Sequence, residues 1–321
     1  MRVLVTGGSG FLGHDVVDRL AARGDVAIPF DTAIGPGIAA MAEARPGRVV
    51  PVTGDITDLA NLVAAFRDHA PDAVVHLAAI VGVPASLGSP SNVVRVNLQG
   101  SLNLFEAMRL SGVRRVIHLS TEDVYGDFIA DRVAEDAPAK PISPYGVCKL
   151  AVEHFGRSYR EMHGLDCINL RTSWVYGLRI DRPRPPMNYL NAALEGRALH
   201  LAEGGDMVTD YTYVDDLLDG ILLALDHAEH PHDTYNLASG EAVSDRALVE
   251  HVRALVPGAE ISVGPGRRAF APGMRIPRKG ALDSTRARES FGFAPRFPIR
   301  DGLAAYIDSW RAARDPAPAD A

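Results

Sequence analysis

Only two cysteines occur in 321 residues, Cys148 and Cys167, and neither sits in a Cys-x-x-Cys pair. Such sparse spacing offers neither a disulfide framework nor a thiolate metal site, so both thiols are expected as small buried groups in a reducing compartment. No apolar run approaches the ~20 residues that a membrane-spanning helix needs, and the chain opens on a strand pattern rather than a charged-then-apolar leader. A cytoplasmic protein with no membrane partner is the expectation. Basic charge is also short: 33 Lys and Arg against 40 Asp and Glu leave a formal charge of -7. This argues against a nucleic-acid partner, which normally meets a basic face.

What is present is ordinary globular material, 47% hydrophobic and 23% charged, in a chain long enough for one large α/β domain with an appended lobe. Its organising stretch comes first. Arg2 to Thr6 is a β-branched apolar run of the kind that forms a strand buried on both faces. It stops at Gly7-x-x-Gly10-x-x-Gly13, and an amphipathic stretch, Phe11 to Arg23, follows. In that setting Gly7 lets the chain reverse, Gly10 lets backbone N–H groups approach a pyrophosphate, and Gly13 lets the helix press on the sheet. Phe11 and Leu12, at the helix start, belong to the same phosphate-facing turn. A second strand, Val26 to Asp31, ends in an acid that can accept both adenosine-ribose hydroxyls and would repel a 2′-phosphate, favouring NAD over NADP.

The stretch from Thr32 to Gly47 reads as irregular, and Arg48 to Thr53 as a third strand. Asp55 either meets an adenine amino group, with Ile56 on the ring, or serves as a turn or cap for the helix Asp58 to His69. A fourth strand, Ala73 to Leu77, runs into Ala78-Ala79, small enough for a dinucleotide to cross; His76 reads as a packed core histidine. The helix from Asn92 to Ser111 is apolar over more than one face, as if covered by a second subunit as well as the sheet. Arg115 to Ser120 is the fifth strand and hands the chain to Thr121, Glu122 and Asp123 at a carboxyl end, where an open α/β sheet holds its ligand.

A helix beginning near Ser143 carries Tyr145 and Lys149, which a separation of four places on one face. An ammonium beside the phenol, with a positive nicotinamide ring, would favour the phenolate. Tyr145 could then take the proton of a substrate alcohol as hydride leaves it. Thr121 would hold the same oxygen, and Lys149 would also reach the nicotinamide ribose. His227 to His232 does not have ligand spacing, because Pro231 breaks the helix, and no metal is expected.

Thr6-Gly-Gly-x-Gly-x-x-Gly13, His76-Leu-Ala-Ala79, Asn97-x-x-Gly100, Ser120-Thr-Glu-Asp-Val-Tyr-Gly126, Tyr145-x-x-x-Lys149 and Tyr211-Thr-Tyr-Val-Asp-Asp216 together resemble the extended short-chain dehydrogenase/reductases, the NAD-dependent epimerase/dehydratase family. The resemblance runs to about Phe293. It implies a doubly wound parallel Rossmann sheet over residues 1–177 and a smaller α+β substrate lobe over 178–314. Some segments of that lobe would return to the sheet, and a disordered tail would follow at 315–321. It implies Thr121, Tyr145 and Lys149 as catalytic, Asn97 and Ser120 beside the cofactor, and a homodimer through the helices near 92–111 and 143–163.

Three departures bear on the reaction. Glu122 and Asp123 stand in the reverse order from the acids of the 4,6-dehydratases. Trp174 replaces a common asparagine and is similar to dTDP-4-dehydrorhamnose reductases. Thr209 stands where the family's arginine usually grips a diphosphate, and a hydroxyl does not replace a bidentate guanidinium. Substitute cations are Arg179, Arg182 and Arg184 in one loop, and Arg267, Arg268, Arg275, Arg278 and Lys279 in another. Of these, Arg179 and Arg275 join Thr121, Trp174 and Thr209 as candidate substrate contacts, although any single one is more often a solvated surface cation. The leading expectation is a nucleotide-sugar epimerase acting through a transient ketone. A net dehydrogenase or reductase of a free sugar, sugar acid or polyol is the near rival. A dehydratase and an NAD-binding regulator without catalysis are lesser alternatives.

Overall fold

Alternation along the first strand decides how the molecule is layered. In β1 (Arg2–Thr6), Val3 and Val5 turn to one face and Leu4 to the other, and all three are fully buried. Val3 and Val5 pack with Val16, Val17 and Leu20 of α1 (Phe11–Ala22). Leu4 packs with Leu62, Phe66, Leu104 and Phe105 on the opposite side. Each such side chain contributes about 1.5–3 kcal/mol on burial. The computed structural model describes residues 1–180, 182–271 and 274–314; the expected disordered tail lies outside the described residues.

The chain continues through β2 (Val26–Asp31), β3 (Val52–Thr53), β4 (Ala73–His76) and β5 (Arg115–Thr121). These join the strands Asp166–Thr172 and Thr234–Leu237 in one seven-stranded parallel sheet. Its order from one edge is Thr234–Leu237, Asp166–Thr172, β5, β4, β1, β2, β3. The order reverses between β1 and β4, so a crevice opens at their carboxyl ends. A smaller sheet places Val208–Tyr213 parallel to Trp174–Tyr176 and antiparallel to Ala242–Ser244. Thr234–Leu237, from the second half of the chain, pairs back onto Asp166–Thr172. Among the described residues no helix is long and apolar enough to cross a membrane.

Several sequence expectations are corrected. The segment expected to be irregular contains the helix α2 (Pro36–Ala44): Pro36 starts it at a position that needs no N–H, and the Ala-rich interior favours it. The third strand shrinks to two residues because Pro51 cannot donate to the ladder; Val49 keeps only a single bridge to Ala27. The helix expected over 92–111 is three pieces, Pro90–Val93, a π-turn Val94–Gln99 and Gly100–Ser111. The run Leu170 to Gly177, which reads in the sequence as a sixth strand and its exit, divides at Ser173, its first part staying in the main sheet and Trp174–Tyr176 joining the small one.

Candidate active site

The crevice above β1 and β4 is a cavity of about 790 Å³. One end is the glycine turn. Gly7 sits at φ +71, where a side chain is strained, and the Gly10 N–H closes the turn on the Gly7 carbonyl at 3.0 Å. A Cβ on Gly13 would stand 2.0 Å from that same carbonyl oxygen, so only glycine lets α1 begin here. Phe11 and Leu12 line the cavity beside these glycines. Asp31 is fixed by N–H donors from Ser9 at 3.0 Å and Thr32 at 2.8 Å, and faces the same space.

Further along, Asp55 both lines the cavity and closes a turn by accepting the Thr57 N–H at 2.8 Å. The cap of the following helix is Asp58, which accepts the Ala60 N–H at 2.9 Å. Ile56, Leu77, Ala78 and Ala79 form the floor. Asn97 does not line it. Its amide clamps the Ile80 backbone from both sides, accepting the N–H at 2.7 Å and donating to the carbonyl at 2.9 Å, and so holds the loop after β4 in place. His76 is a core residue, bonded to Thr6 at 2.7 Å and Ser101 at 2.8 Å. Burial, together with the Lys149 charge, pushes its pKa down to about 3.

The other end of the cavity gathers Ser120, Thr121, Glu122, Asp123, Tyr145, Lys149, Trp174 and Arg179. Tyr145 and Lys149 come from the helix Pro144–His163, whose start is capped by Ser143 Oγ accepting the Gly146 N–H at 3.1 Å. Ser120 spends its hydroxyl on Glu153 at 2.6 Å. Glu153 is itself held by Arg171 through bonds of 3.0 and 2.6 Å, a buried ion pair beneath the site.

Burial is the main cause that raises the Tyr145 pKa well above the usual phenol value, and the Asp123 charge adds to it. The hydrogen bond with Thr121 and the charges of Arg182 and Arg184 oppose the rise. Lys149 is engaged elsewhere. It donates to the Leu119 carbonyl at 2.7 Å and meets His118 Nε2 at 3.4 Å, while burial lowers its pKa to about 8. Asn169 Nδ2 is committed to the Asp233 carbonyl, so Asn169 Oδ1 accepts from His118 Nδ1 and leaves Nε2 free to accept. The four-residue spacing thus brings phenol and ammonium into one cavity, but the cations acting on the phenol are the two loop arginines.

Of the candidate substrate contacts, Thr121, Trp174 and Arg179 line the cavity, Arg179 while paired with Asp15 at 2.8 Å. Thr209 is 2% exposed inside the small sheet, away from the cavity lining. Arg275 lies outside the crevice on the surface, paired with Asp127. The neighbouring Lys279 is the cation that reaches the acids, 3.0 Å from Asp123. Arg184 stacks on Trp174, its Cζ 5.1 Å from the ring centre, and donates to the Val175 carbonyl at 3.0 Å. Arg95, exposed and bonded to Thr57 Oγ1 at 2.9 Å, also lines the cavity and had no signal in the sequence, since it lies in a π-turn that follows no residue pattern. Among the described residues, no group of three or more His, Cys, Asp or Glu is placed to hold a metal ion.

A family model described as the NAD dependent epimerase/dehydratase family matches residues 3–238. The chain is similar to a UDP-glucose 4-epimerase of Mycolicibacterium smegmatis, 34% identical over 318 residues that cover 97% of this chain and 99% of the relative. It is also similar to a dTDP-glucose 4,6-dehydratase of an Actinoplanes species, 29% identical with 98% and 99% covered. Among solved structures, the UDP-glucose 4-epimerase of Thermus thermophilus in complex with NAD superposes with a TM-score of 0.83 at 32% identity, covering 98% of this chain and 100% of that one.

Proposed function

The chain belongs to the NAD dependent epimerase/dehydratase family, and from that premise we propose that it oxidises a secondary alcohol of a nucleotide sugar and restores it with inverted configuration, as a 4-epimerase. The observation that carries this reading is the meeting of Thr121, Tyr145 and Lys149 with the glycine turn and Asp31 in one cavity. The residues present fit NAD: the turn at Gly7, Gly10 and Gly13 keeps side chains away from the N–H groups that open α1, and Asp31 is oriented by two backbone donors. Bound NAD supplies the acceptor and donor of hydride.

In this reading Gly10, Phe11, Leu12 and Gly13 hold the pyrophosphate and Asp31 the adenosine ribose. Asp55 and Ile56 meet the adenine, while Leu77, Ala78 and Ala79 carry the dinucleotide over β4. Asn97 keeps that floor in place through Ile80. Thr121 and Tyr145 converge on the substrate hydroxyl, and the phenol takes its proton as the ketone forms and returns it when the alcohol is remade. The buried phenol needs nearby positive charge to ionise; Arg182 and Arg184 supply part of it, and in this reading the bound nicotinamide adds the rest.

A net oxidoreductase acting on a compact sugar acid is the second reading, favoured by two facts. Thr209 is enclosed where a diphosphate-gripping arginine is expected, and the substrate end carries Arg182 and Arg184 beside Trp174. Incubation with NAD+ and UDP-glucose or UDP-galactose separates them. The 4-epimer forming without net NADH is the expected result, and stoichiometric NADH would overturn the epimerase. The functional unit is proposed as a homodimer through the helices Gly100–Ser111 and Pro144–His163.

A further inference from the structure

The segment that carries Arg275 is fastened to the loop after β5, and the fastening delivers a buried ammonium. Asp127 pairs with Arg275 and accepts the Arg278 N–H at 2.7 Å. The Phe128 N–H donates to the Arg278 carbonyl at 2.9 Å, and Ala281 lies opposite Arg132 in a short parallel pair. Gly280 permits this approach, since a Cβ there would stand 2.2 Å from the Asp131 carbonyl oxygen. Between these anchors Lys279, 6% exposed, points its Nζ at Asp123 Oδ1, 3.0 Å away, and at Glu122 Oε1, 3.5 Å away, and lies over the Phe128 ring.

One carboxylate balances one ammonium, and a second buried carboxylate is costly unless it holds a proton. Glu122 is 1% exposed and neither of its carboxyl oxygens has a hydrogen-bond partner. Burial pushes its pKa up to about 7; Lys279 opposes that rise, while the charges of Asp123 and Asp210 support it. Asp210 is already committed to Ser239 Oγ and to the N–H groups of Gly240 and Leu282. Burial works to lower the Lys279 pKa, but Asp123 and Glu122 outweigh it and hold it above its usual value.

We propose that Lys279 is a positioning residue of the crevice, clamping Asp123 and Glu122 so that the two acids present a single exchangeable proton beside Tyr145. The role rests on the alcohol-oxidising reading of this cavity and adds to it a proton holder other than the phenol. Lys279 also borders a second cavity of about 650 Å³, with Arg132, Glu241 and Arg278, so the clamp stands between the crevice and a separate polar space.

Lys279→Met, Lys279→Arg and Glu122→Gln test this in two ways. The first needs no substrate: Tm against pH. The folded state holds the Glu122 proton more tightly than the unfolded chain, so this contribution is complete below about pH 4.5 and is lost as pH rises through about 7. Glu122→Gln should abolish that loss, Lys279→Met should move it to higher pH, and Lys279→Arg should leave it in place. Identical profiles in all four proteins would overturn the clamp. The second is turnover of UDP-glucose with NAD+: Lys279→Met should lower kcat about tenfold or more with KM unchanged, and Lys279→Arg should recover most of it. A raised KM with kcat intact would instead make Lys279 a substrate anchor. If the wild-type protein turns over none of these sugar nucleotides, the epimerase reading fails by itself, and the Tm profiles still decide the clamp.

Discussion

At the scale of single residues, the proposed chemistry depends on a phenol that its own surroundings hold protonated. Burial and Asp123 raise the Tyr145 pKa, and Thr121, Arg182 and Arg184 counter them. Charge brought by the cofactor therefore has work left to do, and deprotonation should follow cofactor binding. Tyr145→Phe keeps the ring packed and removes the hydroxyl. It should lower kcat by about 10²–10⁴-fold while NADH affinity, followed by fluorescence, stays unchanged. Activity within an order of magnitude of wild type would mean that another group takes the proton. Tyr145 and Lys149 were legible because a spacing of four is a local property of any helix. Lys279 was not: it meets Asp123 across 156 residues, and only the docking of two distant loops makes it different from the surface cations around it.

Elements show the same division between local and tertiary causes. The first strand, the glycine turn and α1 follow from patterns contained within their own residues. α2 was missed because the glycines and proline around it obscured its Ala-rich interior, and the π-turn at Val94–Gln99 has no sequence signature. The strand that divides at Ser173 cannot be read locally either, since what separates its parts is the choice between two sheets. Where an element depends on one atom, the consequence is direct. Gly13→Ala places a methyl group 2.0 Å from the Gly7 carbonyl, so α1 must shift away from the turn at a cost of about 1–3 kcal/mol. NADH titration should show a matching loss of affinity together with a lower Tm. A protein with Ala at this position and wild-type NADH affinity would show that α1 does not set the pyrophosphate site.

For the whole molecule, the question is what covers the outer face of the helix Pro144–His163. Its inner face presents Tyr145 and Lys149 to the crevice and Val152 to the core. On the other side Val147, Phe155 and Met162, 51%, 39% and 70% exposed, fall on one stripe because their separations are near whole helical turns. Leu110, 59% exposed, adds to the apolar surface of the helix Gly100–Ser111 packed beside it. An apolar stripe on the back of the helix that carries Tyr145 suits a two-fold contact, in which the same helices of two chains cover each other. Sedimentation should give about twice the 34.4 kDa chain mass. Phe155→Glu, which places a charge in the middle of the stripe, should give monomers that still bind NADH, because the stripe lies on the face of this helix turned away from Tyr145 and Lys149. A wild-type protein that sediments as a monomer at micromolar concentration would leave the stripe without a second copy to cover it and would retire the dimer.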